Sequence, residues 1–153
     1  MKKIRLRFSN TRTLSSHLVA FFTDSWCSHV EFEVTPNVYI GSELAEGVFT
    51  YPTPELIDEY EVYEVEVTNE QYKQAMVVLL NQVGKKYDWW ALVGNLFRRN
   101  WQETNKWFCS ELVAYVFEQI GYPLVRDKLN RVTPADLLLS PLMTLVESNR
   151  TVR

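Results

Sequence analysis

Cysteine and histidine are scarce in this 153-residue chain, with two of each, and that scarcity excludes several classes at once. Two cysteines cannot make a disulfide framework, and no Cys-x-x-Cys or comparable spacing offers a metal site. Such cysteine usage suits a reduced, cytosolic setting. No run is long and apolar enough to span a bilayer. The start MKKIRLRF carries positive charge, but no uninterrupted apolar stretch follows it, so no signal peptide is visible. A net charge of −3 leaves no basic footprint for nucleic acid or for an anionic membrane. Repeats, low-complexity tracts and linkers are absent as well. The length suits one domain over residues 1–153, large enough to bury a core.

What is present is patterned. Lys2, Lys3, Arg5 and Arg7 alternate with Ile4, Leu6 and Phe8, which predicts a strand of edge-like character over 3–8. A helix is expected over 14–23. Ser28 to Val34 alternates with Val30, Phe32 and Val34 on one side and His29 and Glu31 on the other. Thr35-Pro36-Asn37 is a turn, Val38 to Ile40 a return strand, and Gly41 to Gly47 a loop or bulge before a strand near 48–50. Tyr51 to Pro54 reads as a Pro-bearing connection, and Tyr60 to Val67 alternates again. Thr68-Asn69-Glu70-Gln71 is a capping-box signature. The helix that it opens carries the stripe Tyr72, Ala75, Met76, Leu79, Leu80 and Val83. A second helix is expected from about Asp88, its own cap, to Phe97, and Thr133-Pro134 marks a further helix start. Strands and helices in segregated runs argue an α+β class.

The residues that carry chemistry sit around Trp107-Phe108-Cys109-Ser110-Glu111-Leu112-Val113. Leu112, Val113, Val116, Phe117 and Ile120 form one helical stripe, stopped by Gly121, so Cys109 lies at a helix N-terminus. Unpaired N–H groups and the positive end of the helix dipole favour a thiolate there, and a thiolate is a nucleophile. It needs a base. His17 falls in the early helix as a surface or cap residue, which leaves His29. Glu31 lies beside His29 on the same strand face, where a carboxylate would raise the imidazole pKa or simply be solvated. Cys27 lacks a helix N-terminus and reads as a wall of the cleft or a resolving thiol.

Ser28-His29-Val30, Gly84-Lys85-Lys86-Tyr87-Asp88-Trp89 and Phe108-Cys109-Ser110-Glu111-Leu112-Val113 together resemble the NlpC-type cysteine peptidases, a papain-like superfamily. His29 precedes Cys109, so the resemblance is to the circularly permuted branch, which includes YiiX-like proteins and the lecithin:retinol acyltransferase group. It spans roughly residues 25–125, on the scale of one domain. It implies a permuted papain-like fold in which the Cys109 sulfur approaches a His29 ring nitrogen. Ser42 stands at the family's third-residue position, with Glu31 as its rival. Tyr87 matches the family tyrosine near the oxyanion position, where it would assist the Cys109 backbone N–H. The implied reaction is acyl transfer to water, without metal or cofactor. The substrate would be an amide in a peptide or cell-wall fragment; a lipid thioesterase or acyltransferase is the alternative. A binding module that has lost its chemistry is a third reading. The apolar run Trp89, Trp90, Leu92, Val93, Leu96, Phe97 and Trp101 is either core and cover or an acyl-binding wall.

Overall fold

The structure, a computed structural model, describes residues 1–11, 25–43, 47–52, 57–84, 108–126 and 132–151. Its elements are β1 (Lys2–Thr11), β2 (His29–Thr35), β3 (Val38–Glu43), β4 (Gly47–Pro52) and β5 (Ile57–Val67), then α1 (Asn69–Leu80), α2 (Phe108–Gln119), α3 (Pro134–Leu138) and β6 (Met143–Ser148). The six strands form one sheet in the order β4–β3–β2–β1–β5–β6, and every neighbouring pair is antiparallel. The class is α+β.

One face of the sheet carries Ile4, Leu6, Phe8, Val30, Phe32 and Ile40, all buried. This face meets α2, where Phe117 stacks on Phe32 at 6.4 Å between ring centroids. The α2 stripe of Leu112, Val113, Val116, Phe117 and Ile120 is buried throughout, so its period dictates which side of the helix faces the sheet. Gly121 ends the run with φ of 67°, a conformation that a side chain disfavours. Thr68 caps α1 and Thr133 caps α3, each in a reciprocal capping box, with Gln71 and Asp136.

Several expectations need adjustment. The basic strand β1 is central, flanked by β2 and β5, and not an edge. Its cations are tolerated there because acidic neighbours answer them: Lys3 with Glu64 at 2.6 Å, Arg5 with Glu33 at 3.1 Å, and Arg7 with Glu31. Gly41 to Glu43 extend β3 where a loop was expected, and Tyr51 and Pro52 belong to β4. Pro52 is the last residue of β4, an edge strand, which is where sheets accept proline. Leu80 is exposed at the end of α1, outside the buried stripe of Ala75 and Leu79. β6 has no counterpart in the sequence reading, since its residues are mostly exposed and lack alternation. The expected helices over 14–23 and 88–97 lie outside the described residues.

Candidate active site

The site is built at the start of β2. His29 is the first residue of that strand and pairs with Ser9 of β1. Its ring lies within interaction range of Cys109, in the first turn of α2. Sheet and helix thus meet at one imidazole. The His29 side chain keeps about a fifth of its surface exposed, at 21 %, while Glu31 keeps 1 %.

The Nε2 nitrogen of His29 lies 3.2 Å from Glu31 Oε2 and 3.3 Å from the Tyr51 hydroxyl. Tyr51 also donates its hydroxyl hydrogen to Glu31 Oε2. The other carboxylate oxygen, Oε1, accepts from the Arg7 guanidinium. Each oxygen of this buried carboxylate therefore has its own partners, as a charge out of water requires. Arg7 is itself stacked over the Tyr39 ring, 3.4 Å from the guanidinium carbon to the centroid. The register explains the grouping: Arg7 pairs with Glu31, and Tyr39 with both Glu33 and Tyr51. Residues directly opposite one another share a face.

Gly41 of β3 completes the cluster by what it lacks. A Cβ there would lie 2.8 Å from the Tyr51 hydroxyl oxygen and 3.4 Å from His29 Nε2. The absence of a side chain at this position gives the tyrosine hydroxyl its seat.

Electrostatics follow from these contacts. Burial works to lower the His29 pKa. The charge and hydrogen bond of Cys109, then the hydrogen bond and charge of Glu31, outweigh it and hold the imidazole well above its ordinary value. Burial pushes the Cys27 thiol up to about 12, and that thiol donates to the His29 carbonyl oxygen at 3.2 Å. Burial also lifts Glu111, in the first turn of α2, to about 7.

Of the residues singled out in the sequence, Cys109, His29 and Glu31 come together. Ser42 does not join them. It follows Gly41 on β3, opposite Val48, on the face shared by Ile40 and Phe32. There it is buried, and among the described residues its hydroxyl has no hydrogen-bond partner. Tyr87, His17, Asp88 and the apolar run from Trp89 to Trp101 lie outside the described residues. Three members of the cluster, Arg7, Gly41 and Tyr51, were not anticipated. A signal existed for the first: a basic period-two strand and an acidic one invite cross-strand pairing. Tyr51 was hidden because Pro52 and Pro54 suggested a connection.

No family model and no curated protein matches the sequence. Among solved structures, the chain is similar to the crystal structure of the metalloprotein YiiX from Escherichia coli O157:H7. The TM-score is 0.66 at 19% sequence identity, over 95% of this chain and 96% of that one. The two proteins share a fold.

Proposed function

We propose that the chain is a cysteine-nucleophile hydrolase with a circularly permuted papain-like topology in a single domain over residues 1–153, in which Cys109 attacks an acyl carbonyl and His29 carries the proton. The observation that carries this reading is the imidazole of His29, which has a helix-start thiol and a buried carboxylate as its neighbours. Nucleophile, base and orienting group then stand in series, which is the arrangement that activates a weak nucleophile.

With Nε2 engaged by Glu31 and Tyr51, Nδ1 is the nitrogen left for the sulfur. His29 takes the thiol proton as the Cys109 sulfur bonds to the carbonyl carbon, and the carbonyl oxygen becomes an oxyanion. Backbone N–H groups at the start of α2 are the natural donors to that oxyanion, and Tyr87 is the proposed second donor. As the intermediate collapses, His29 protonates the leaving amine and an acyl-cysteine remains. Water, deprotonated by His29, then releases the acid and restores the thiol. Glu31 holds the ring and offsets the imidazolium charge in both halves. Ser42 has no part in this scheme.

The substrate class that fits the resemblance best is an amide in a peptide or cell-wall fragment, with a long-chain acyl thioester or ester as the runner-up. The name of YiiX calls that protein a metalloprotein. Among the described residues here, no three His, Cys, Asp or Glu side chains converge as a ligand set. Both oxygens of Glu31 are already committed, and no step is routed through a metal.

An activated acyl ester tests the reading. Intact-mass spectrometry should find one acyl group, on Cys109, in the wild-type chain and none in Cys109→Ala. Labelling that ignores Cys109 would overturn the hydrolase reading and leave a binding module. Turnover of peptide amides against long-chain acyl thioesters then separates the two substrate classes.

A further inference from the structure

The Tyr51 hydroxyl reaches two members of the site at once. We infer that Tyr51 is a positioning residue: its hydroxyl donates to Glu31 Oε2 and accepts from His29 Nε2–H at 3.3 Å, fixing the imidazole in the tautomer that presents Nδ1 to Cys109. This rests on the Cys109–His29 reading above and goes beyond it by naming what selects the tautomer.

Three observations carry it. First, the Glu31 carboxylate does not need Tyr51 for charge compensation, because Arg7 supplies a full positive charge at Oε1. The Tyr51 bond falls on the other oxygen, the one that faces His29. A hydroxyl has one hydrogen and two lone pairs. With the hydrogen given to a carboxylate that can only accept, the oxygen offers His29 Nε2 a lone pair and nothing else. An unprotonated Nε2 would face two acceptors and be repelled by both. The tautomer is therefore selected by Glu31 and Tyr51 jointly.

Second, two aromatic rings pack against that of Tyr51. Its centroid lies 4.8 Å from that of Phe49 and 6.3 Å from that of Tyr39. Tyr39 is in turn fixed under the Arg7 guanidinium. The hydroxyl is thus delivered by packed aromatics on paired strands, the kind of support that keeps a site within a fraction of an ångström.

Third, the sequence leaves room for this hydroxyl and for little else. The 2.8 Å approach to a Gly41 Cβ is closer than nonbonded carbon and oxygen tolerate, so any side chain at 41 would displace the hydroxyl or the strand. In Tyr51→Phe that conflict disappears, because the clashing atom is gone.

The test uses the full chain labelled with nitrogen-15 on histidine, above the pH at which His29 titrates. In the wild type, the His29 nitrogens should show a protonated Nε2 and an unprotonated Nδ1. In Tyr51→Phe they should move toward the averaged pattern of mixed tautomers, and Cys109 should alkylate with iodoacetamide roughly tenfold more slowly, short of the hundredfold that a 1 Å misplacement can cost. Gly41→Ala should reproduce both changes. Gly41→Ala combined with Tyr51→Phe should be no worse than Tyr51→Phe alone, a non-additivity that only a shared mechanism gives. A wild-type nitrogen pattern in Tyr51→Phe, or losses that add in the double variant, overturns the assignment. The nitrogen shifts need no substrate, so a wild-type chain that takes up no acyl group would defeat the hydrolase reading while the role of Tyr51 is still decided.

Discussion

Arg7 and Glu31 are direct register partners on β1 and β2, and their ion pair is buried, with side chains 4 % and 1 % exposed. An ion pair out of water is held by the mutual dependence of its charges. Removing one partner strands the other.

Arg7→Met should therefore cost about 3–5 kcal/mol of folding stability, the usual penalty for leaving a buried charge alone. Replacing both, Arg7→Met with Glu31→Leu, should cost markedly less than the sum of the single changes. Urea denaturation of the four chains, read as a double-mutant cycle, checks this; additive losses would mean that the pair is not coupled.

Activity on an acyl substrate should rank the supporting groups. His29→Ala should lose about 10²–10⁴-fold in turnover, the range of a positioned general base. Glu31→Gln should lose less, since the ring and the thiol remain, and Ser42→Ala should be near wild type. Steady-state kinetics with folding checked by circular dichroism decides the order. A larger loss in Ser42→Ala than in Glu31→Gln would reverse the assignment of the orienting residue.

The two thiols should differ sharply in reactivity. With its pKa pushed up to about 12, Cys27 carries thiolate at only about one part in 10⁴ near pH 8, and the thiolate is the reactive form. Cys109, by contrast, neighbours the His29 imidazole. Iodoacetamide at neutral pH should label Cys109 first, as read by mass spectrometry of the two peptides. Faster labelling of Cys27 would remove Cys109 as the nucleophile.

Glu111 should make stability depend on pH. Its folded pKa, about 7, exceeds the ordinary 4.5 because burial disfavours the charge. Between those values the folded chain holds more protons than the unfolded one, so stability falls as pH rises through that window. Above pH 7 the full penalty applies. Glu111→Gln should raise stability by roughly 1–3 kcal/mol at pH 8 and change nothing at pH 4. Urea midpoints at the two pH values measure it, and an equal gain at both would exclude ionisation as the cause.

The α2 helix was legible down to its stripe and its stop because period and glycine pointed one way. A capping box marked Thr68 as the start of α1. The His29 strand and the side that Glu31 takes were legible from alternation alone. Ser42 shows where spacing fails: counting from His29 reaches the right strand, but one residue of register decides the face, and the bulge between β2 and β3 lies outside any count. Tyr51 shows the other failure. Two prolines read as a break, yet an edge strand tolerates proline, so β4 continues far enough to bring the hydroxyl in.

The central place of β1 has a consequence for how the chain is made. Of the six strands β1 is made before the others, yet its ladder with β5 starts only with Ile57, opposite Thr11, and closes only when Val67 pairs with Lys2. Until then its alternating cations and apolar residues have a hairpin partner on one side at most. Contacts this distant in sequence form slowly. The imidazole and the thiol, which stand on β2 and α2, come together only after that wait. The Cys109–His29 pairing is then a late product of folding, absent until α2 has been made.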